Sequence, residues 1–216
     1  MRGEIVTSSG PPRPTRGRAP DALAELRRHT GRAHDSLDAS LADEGRIVDL
    51  AAYTRLLTVL ADLHGRAEDP LHSWLAATPW ARDSLAEAPL SRRAGLFAAD
   101  LSLVGAEAPY VAPDPPYDDA RGLAALYLLS GSTNGARVLL RSLPCDVAPQ
   151  ARSGLTDAAS SGSAHTWRAV RAMFGEPLER AHPGRHRDLA RRAAVEAGSI
   201  FARLEGLALG AERRAS

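Results

Sequence analysis

From Pro20 almost to the C-terminus, apolar side chains recur every three or four positions, and no stretch of useful length alternates as a half-buried strand would. That period constrains the fold more than any other feature of the chain. It predicts an all-α architecture, one domain of six to eight helices over residues 20–216. Punctuation sets the helix ends. Asp21 is placed to cap "DALAELRRHTGRAHDSLDASL"; Asp49 opens "LAAYTRLLTVLADLHG", with Gly65 as its stop; Thr78 and Pro79 open a segment that Pro89 divides. "DPPYDDARGLAALYLLSGSTNGARVLLRSLP" reads as a long helix closed by Pro144, followed by the shorter "AHTWRAVRAMFG" and a final amphipathic run from "HRDLARRAAVEAG". Residues 1–19 are rich in Pro, Gly, Ser and Arg, too polar to offset their ordering entropy, and are expected to form a disordered arm.

Composition narrows the function classes. A chain of 216 residues can bury a real core. Its net charge of +1 argues against a dedicated nucleic-acid binder, which carries a clear basic excess. All 27 basic residues are Arg, which reads as codon bias. A single cysteine, Cys145, gives neither an intramolecular disulfide nor a thiolate cluster. "MRGEIVTSSG" has no apolar core of a signal peptide, and no apolar run approaches the roughly 18 residues of a membrane span. A cytoplasmic protein with no membrane partner is expected.

Two segments carry chemistry. On the first helix, at about 100° per residue, Leu23, Leu26, Thr30, Leu37 and Leu41 form one stripe and His34 lies at its edge, about 20° from Leu23 and Leu41. Core-facing histidines are commonly satisfied core residues, but two neighbours point to a ligand. Asp38, four residues on, can hold one ring nitrogen and leave the other for a metal. Arg27, two turns back on nearly the same face, can meet an anionic group about 10 Å away. In "YLLSGSTNGARVLLRSL", residues 127–143, Gly131 and Gly135 sit one turn apart between two good helical halves, although each costs roughly 1 kcal/mol against alanine. Bare backbone on that face suits either close helix packing or a flat ligand.

"LRRHTGRAHDSLD" followed about 90 residues later by "YLLSGSTNGARVLLRSL" resembles the haem oxygenases, and most of all the bacterial group found with bacterial phytochromes. The likeness extends through "RRAGLFAADLSLVG", "WRAV" and "AAVEAGSIFARLEGLAL", over residues 20–210. It implies a haem-oxygenase-like helical bundle that binds haem b as substrate and cofactor. Oxygen and electrons from a redox protein would open the ring to biliverdin, carbon monoxide and ferrous iron, a step of haem catabolism. By the same resemblance His34 is the iron ligand and Asp38 the carboxylate that orients it. Arg27 meets a propionate, and Arg168 or Arg171 does likewise. Tyr127 opens the distal motif, and Gly131 and Gly135 lie over the distal face. Ser132 stands where relatives outside this group have an Asp that organises water. The chain departs from the family at Ser130, Asn134 and Ala136, which replace an acidic, an apolar and a glycine residue; Ala136 is a small change, while Asn134 and Ser130 are expected to make the distal helix more polar.

Two other readings compete. A haem-binding protein without turnover accommodates the polar distal substitutions. A non-haem di-iron oxidase would need several inward carboxylates and histidines; Glu179 and His182 form one E-x-x-H pair, but Pro183 and Gly184 follow at once and no second set is visible.

Overall fold

A computed structural model of the chain describes residues 22–41 and 47–215, and every regular element among them is helical. The order is α1 Ala22–Leu41, α2 Leu50–Ala77, α3 Pro79–Ser84, α4 Ala94–Leu103, α5 Asp119–Ser142, α6 Ser153–Ala158, α7 Ser161–Met173, α8 Glu176–Ala181 and α9 His186–Ala215, with a 3₁₀ turn, Pro149–Arg152, before α6. The expected six to eight helices become nine among the described residues, because α6 and α8, six residues each, are too short to show a period. The arm of residues 1–19 and the cap at Asp21 lie outside the described residues. None of the described helices is long and apolar enough to cross a membrane.

Side-chain caps open three helices, the expected one at Asp49 among them, whereas the Thr78 hydroxyl makes no capping bond at the start of α3. The Asp49 carboxylate accepts from Ala52 N at 2.6 Å, Asp118 accepts from Arg121 N at 3.0 Å, and Ser160 accepts from Ser163 N at 3.2 Å, satisfying a free N–H at the start of α2, α5 and α7. Gly65 does not stop α2. The helix continues for twelve residues beyond it, through Pro70, to Ala77. The glycine serves the neighbouring loop instead: a Cβ there would lie 2.7 Å from Val111 Cγ2. Pro70 is tolerated for a related reason. It has no N–H to offer the Arg66 carbonyl, and that carbonyl accepts from Asp114 N at 3.0 Å. One loop thus accounts for both residues.

The thirty-residue α9 packs on α1, α5 and α2. Its buried face, Ala190, Ala193, Ala194, Ala197, Phe201, Leu204 and Ala208, is mostly alanine, so its neighbours approach closely. Ion pairs and hydrogen bonds fix the register: Arg191 to Glu25 of α1 at 3.3 Å, Glu205 to the Ser36 hydroxyl at 2.6 Å, and Arg203 to Asp62 of α2.

The other half of the molecule is held by buried polar groups. Glu68 Oε1 accepts from His64 Nδ1 at 2.8 Å, from Arg93 N at 2.6 Å and from Ala94 N at 3.2 Å, which ties α2 to the start of α4. Arg93 reaches on to Asp157 at 2.7 Å and to the Ser163 hydroxyl at 2.6 Å, securing α6 and α7. Asp100 accepts from Ser153 N and Gly154 N at 3.0 and 2.8 Å and so caps α6 from α4. The fully buried His64 is pushed below its ordinary 6.5 by burial, against the pull of Glu68. Burial opposes ionisation of Glu68, but its hydrogen bonds from His64, Arg93 and Ala94 hold the carboxyl below its ordinary 4.5. A carboxylate only accepts, so His64 Nδ1 carries the proton and Nε2, which has no hydrogen-bond partner, is unprotonated.

The sign of the pH dependence follows. Unfolded His64 takes up a proton more readily than folded His64, so its contribution is complete above about pH 6.5 and is lost as pH falls. Glu68 adds to the loss below about pH 4.5. Because His34, with its raised pKa, acts in the opposite sense over the same range, the readout is the difference between variants: from about pH 7 to pH 5, urea unfolding should show wild type losing more stability than His64→Gln. A slope unchanged by that substitution would remove His64 as its source.

Candidate functional site: faces of α1, α5 and α7 around Trp167

The face of α1 beside its buried stripe carries Arg27, Gly31, His34 and Asp38, which fall within about 60° of one another. His34 is not core-facing: its side chain is 57% exposed. The boundary between buried and open α1 runs between Leu37 and His34, so a residue at the edge of the apolar stripe falls on the open side. Two contacts orient the ring. Its Nδ1 lies 3.2 Å from Asp38 Oδ2, as the i+4 spacing predicts, and its edge meets the Phe201 ring of α9 at 5.8 Å. The hydrogen bond to Asp38 also pushes the imidazole above its ordinary 6.5. With Nδ1 engaged, Nε2 is the nitrogen offered to a ligand. His29 belongs elsewhere, with Nδ1 against the Glu25 carbonyl at 2.8 Å.

Helix α5 is unbroken across its glycines. Three hydroxyls bond back to carbonyls one turn earlier: Ser130 to Leu126, Ser132 to Leu129 at 2.9 Å and Thr133 to Ser130 at 2.7 Å. Such bonds let Ser and Thr sit inside a helix while satisfying their own buried polar atoms. They also change the expected polarity of this segment. Ser130 is buried with its hydroxyl spent on the helix, and Ala136 is fully buried about 140° around from Gly131. Neither adds a polar group to the glycine face. The side chain of Asn134 lies outside what the structure describes.

The two glycines differ. Gly131 is half-buried, and a Cβ there would sit 3.8 Å from the Trp167 ring, an ordinary contact. Gly135 is exposed, and a Cβ there would meet only Leu139 of its own helix, at 4.0 Å. Gly31 of α1 has nothing within 4 Å of its Cβ position. Both helices therefore present bare backbone to open space. Gly31 carried no signal in the sequence beyond its place between Arg27 and His34.

Trp167 joins the two faces and was missed as a site residue. Its ring, 7% exposed, lies against Gly131 and 5.9 Å from the Tyr127 ring, and the Arg27 guanidinium stands over it at 5.9 Å. Arg27, Tyr127 and Gly131 thus meet at one indole, with His34 two turns along α1. Arg168 is not brought into contact with these residues: its guanidinium is 3.3 Å from His165 Nδ1 on its own helix. Ser132 is half-buried and donates to the Leu129 carbonyl, yet its oxygen can still accept from a water.

Two other features lie apart. A cleft of about 100 Å³ is lined by Thr133, Arg137, Ala158, Ser160 and Ala164. Thr133 is about 160° around α5 from Gly131, and ligand pockets run to several hundred Å³, so this cleft is neither on the Gly131 face nor of a macrocycle's size. His182 ends α8 with Nε2 3.4 Å from Asp119 and its ring edge-on to Trp80. Among the described residues no three His, Cys, Asp or Glu are grouped to hold a metal ion.

The glycines make a direct comparison possible in the ligand-free protein. Gly135→Leu should leave the unfolding temperature unchanged or raise it slightly, because helix propensity improves by up to about 1 kcal/mol in open space. Gly131→Leu should lower stability by about 1–3 kcal/mol as the larger side chain runs into Trp167. Equal losses at both positions would mean that Gly135, too, packs against protein.

Compared with known protein families, with curated proteins and with solved structures, the chain finds no match.

Proposed function

We propose that the chain is a haem oxygenase. It takes haem b between α1 and α5 as substrate and cofactor and, with oxygen and electrons from a redox protein, opens the porphyrin to biliverdin, carbon monoxide and ferrous iron. The observation that carries this reading is the meeting at Trp167 of Arg27, on the α1 stripe that also bears His34 and Asp38, with Tyr127 and Gly131, on the α5 face that also bears Gly135. The sequence resemblance, which rests on the same segments of α1 and α5, points the same way.

The residues fit the group. His34 would ligate iron through Nε2, while Asp38 fixes the tautomer at Nδ1 and strengthens the imidazole as a donor. Phe201 limits rotation of the ring. Arg27, permanently cationic, would meet a carboxylate at the ligand's edge. Gly31 and Gly135 leave space that any larger side chain would narrow, and Gly131 lets the α5 backbone lie against Trp167. Haem, when bound, supplies oxygen binding and the redox chemistry. Ligation requires His34 to be neutral, so a proton at Nε2 competes with iron. Ser132 can accept a hydrogen bond from water but offers no carboxylate, and its own proton is committed to Leu129. That last feature favours one alternative, a haem-binding protein without turnover.

Hemin titration followed by turnover tests the proposal. Wild type should give a saturable Soret band that His34→Ala loses or strongly shifts. Adding a reductase system, oxygen and catalase should bleach that band and yield a bilin identifiable by chromatography. A spectrum unaltered in His34→Ala would remove the ligand assignment. Haem recovered intact under competent reduction would leave a carrier.

A further inference from the structure

We infer that Trp167 is a positioning residue, one that holds Arg27 where it discriminates in favour of a flat ligand bearing free carboxylates. The inference rests on the haem reading and adds to it the residue that holds Arg27 in place.

The geometry is specific. Arg27 is exposed on a helix surface, and a long, solvated arginine there loses considerable side-chain entropy when it is fixed in one place. The indole of Trp167 supplies a surface for it: the guanidinium carbon stands 5.9 Å from the ring centroid. Trp167 is itself immobilised, 7% exposed, with the Tyr127 ring on it at 51° and the bare backbone of Gly131 at its six-membered ring. A cation–π contact of this kind uses none of the guanidinium's N–H donors, which remain for hydrogen bonding. An arginine so held is preorganised toward an anion, and less of the binding energy is spent on ordering it. The same network of Arg93, Asp157 and Ser163 that secures α7 keeps Trp167 in register with α1 and α5. His34, two turns along the α1 face, fixes the centre of the ligand while Arg27 fixes its edge.

Hemin and hemin dimethyl ester separate positioning from packing, since they share ring and iron and differ in the two carboxylates. Wild type should bind hemin at least about fivefold more tightly than the ester, as a charge-assisted hydrogen bond requires. Arg27→Ala should abolish that preference. Trp167→Leu should reduce it to about twofold or less, and the double variant should lose no more than Arg27→Ala alone. Trp167→Phe, with a weaker ring face, should fall between wild type and leucine. If Trp167→Leu weakens both ligands equally and keeps the preference, the tryptophan only packs and the inference is overturned. It is likewise overturned if Arg27→Ala keeps the preference. Should the leucine variant not fold, the phenylalanine variant decides, an undiminished preference counting against the proposal. Wild type binding neither ligand would instead defeat the haem reading itself, and the inference with it.

Discussion

The candidate site depends on the packing of α1 against α9. Leu23, Leu26, Leu37 and Leu41 lie buried on one stripe of α1, and α9 meets that stripe with a face made largely of alanine. Because α1 spends its apolar side there, with Glu25 and Ser36 pinned to Arg191 and Glu205, its adjoining side is left open. Arg27, Gly31, His34 and Asp38 occupy that open side. Helix α5 packs on the same α9, so the positions of these two helices are both set by one long element. Phe201 serves both purposes, buried among the core residues of α9 while its ring steadies His34.

The opposite half relies on charge rather than on alanine packing. Glu68 gathers three donors in a buried setting, and Arg93 extends the network to α6 and α7. Breaking such a network by removing one partner leaves a buried polar group unsatisfied, which costs more than the net worth of the bond. Its consequence for the candidate site is indirect but definite: α7 carries Trp167, and Trp167 is where α1 and α5 come together.

The sequence made the helices legible because a 3.6-residue period survives wherever a helix is long enough to repeat it. It hid α6 and α8, which are shorter than two turns. It misread Gly65 because a glycine demanded by a neighbouring loop looks the same, in one dimension, as a glycine that ends a helix. Pro70 escaped notice for the same reason, its compensating bond coming from Asp114, forty-four residues away. In the site, the His34–Asp38 pair was legible since i and i+4 residues share a face whatever surrounds them. Whether that face looked inward was not, since a stripe's edge can fall on either side of the burial boundary. Trp167 could not be found from spacing at all. Its partners lie on two other helices, α1 and α5, and nothing local marks an aromatic residue of α7 as the point where they meet.

Central to this account is the claim that one ligand is clamped between α1 and α5. Amide hydrogen exchange of the protein with and without hemin tests it most directly, because exchange slows where a bound ligand suppresses local opening. The account predicts new protection over residues 27–38 and 127–138, with α2 through α4 changing little. Protection confined to other helices, or none despite saturating hemin, would contradict it.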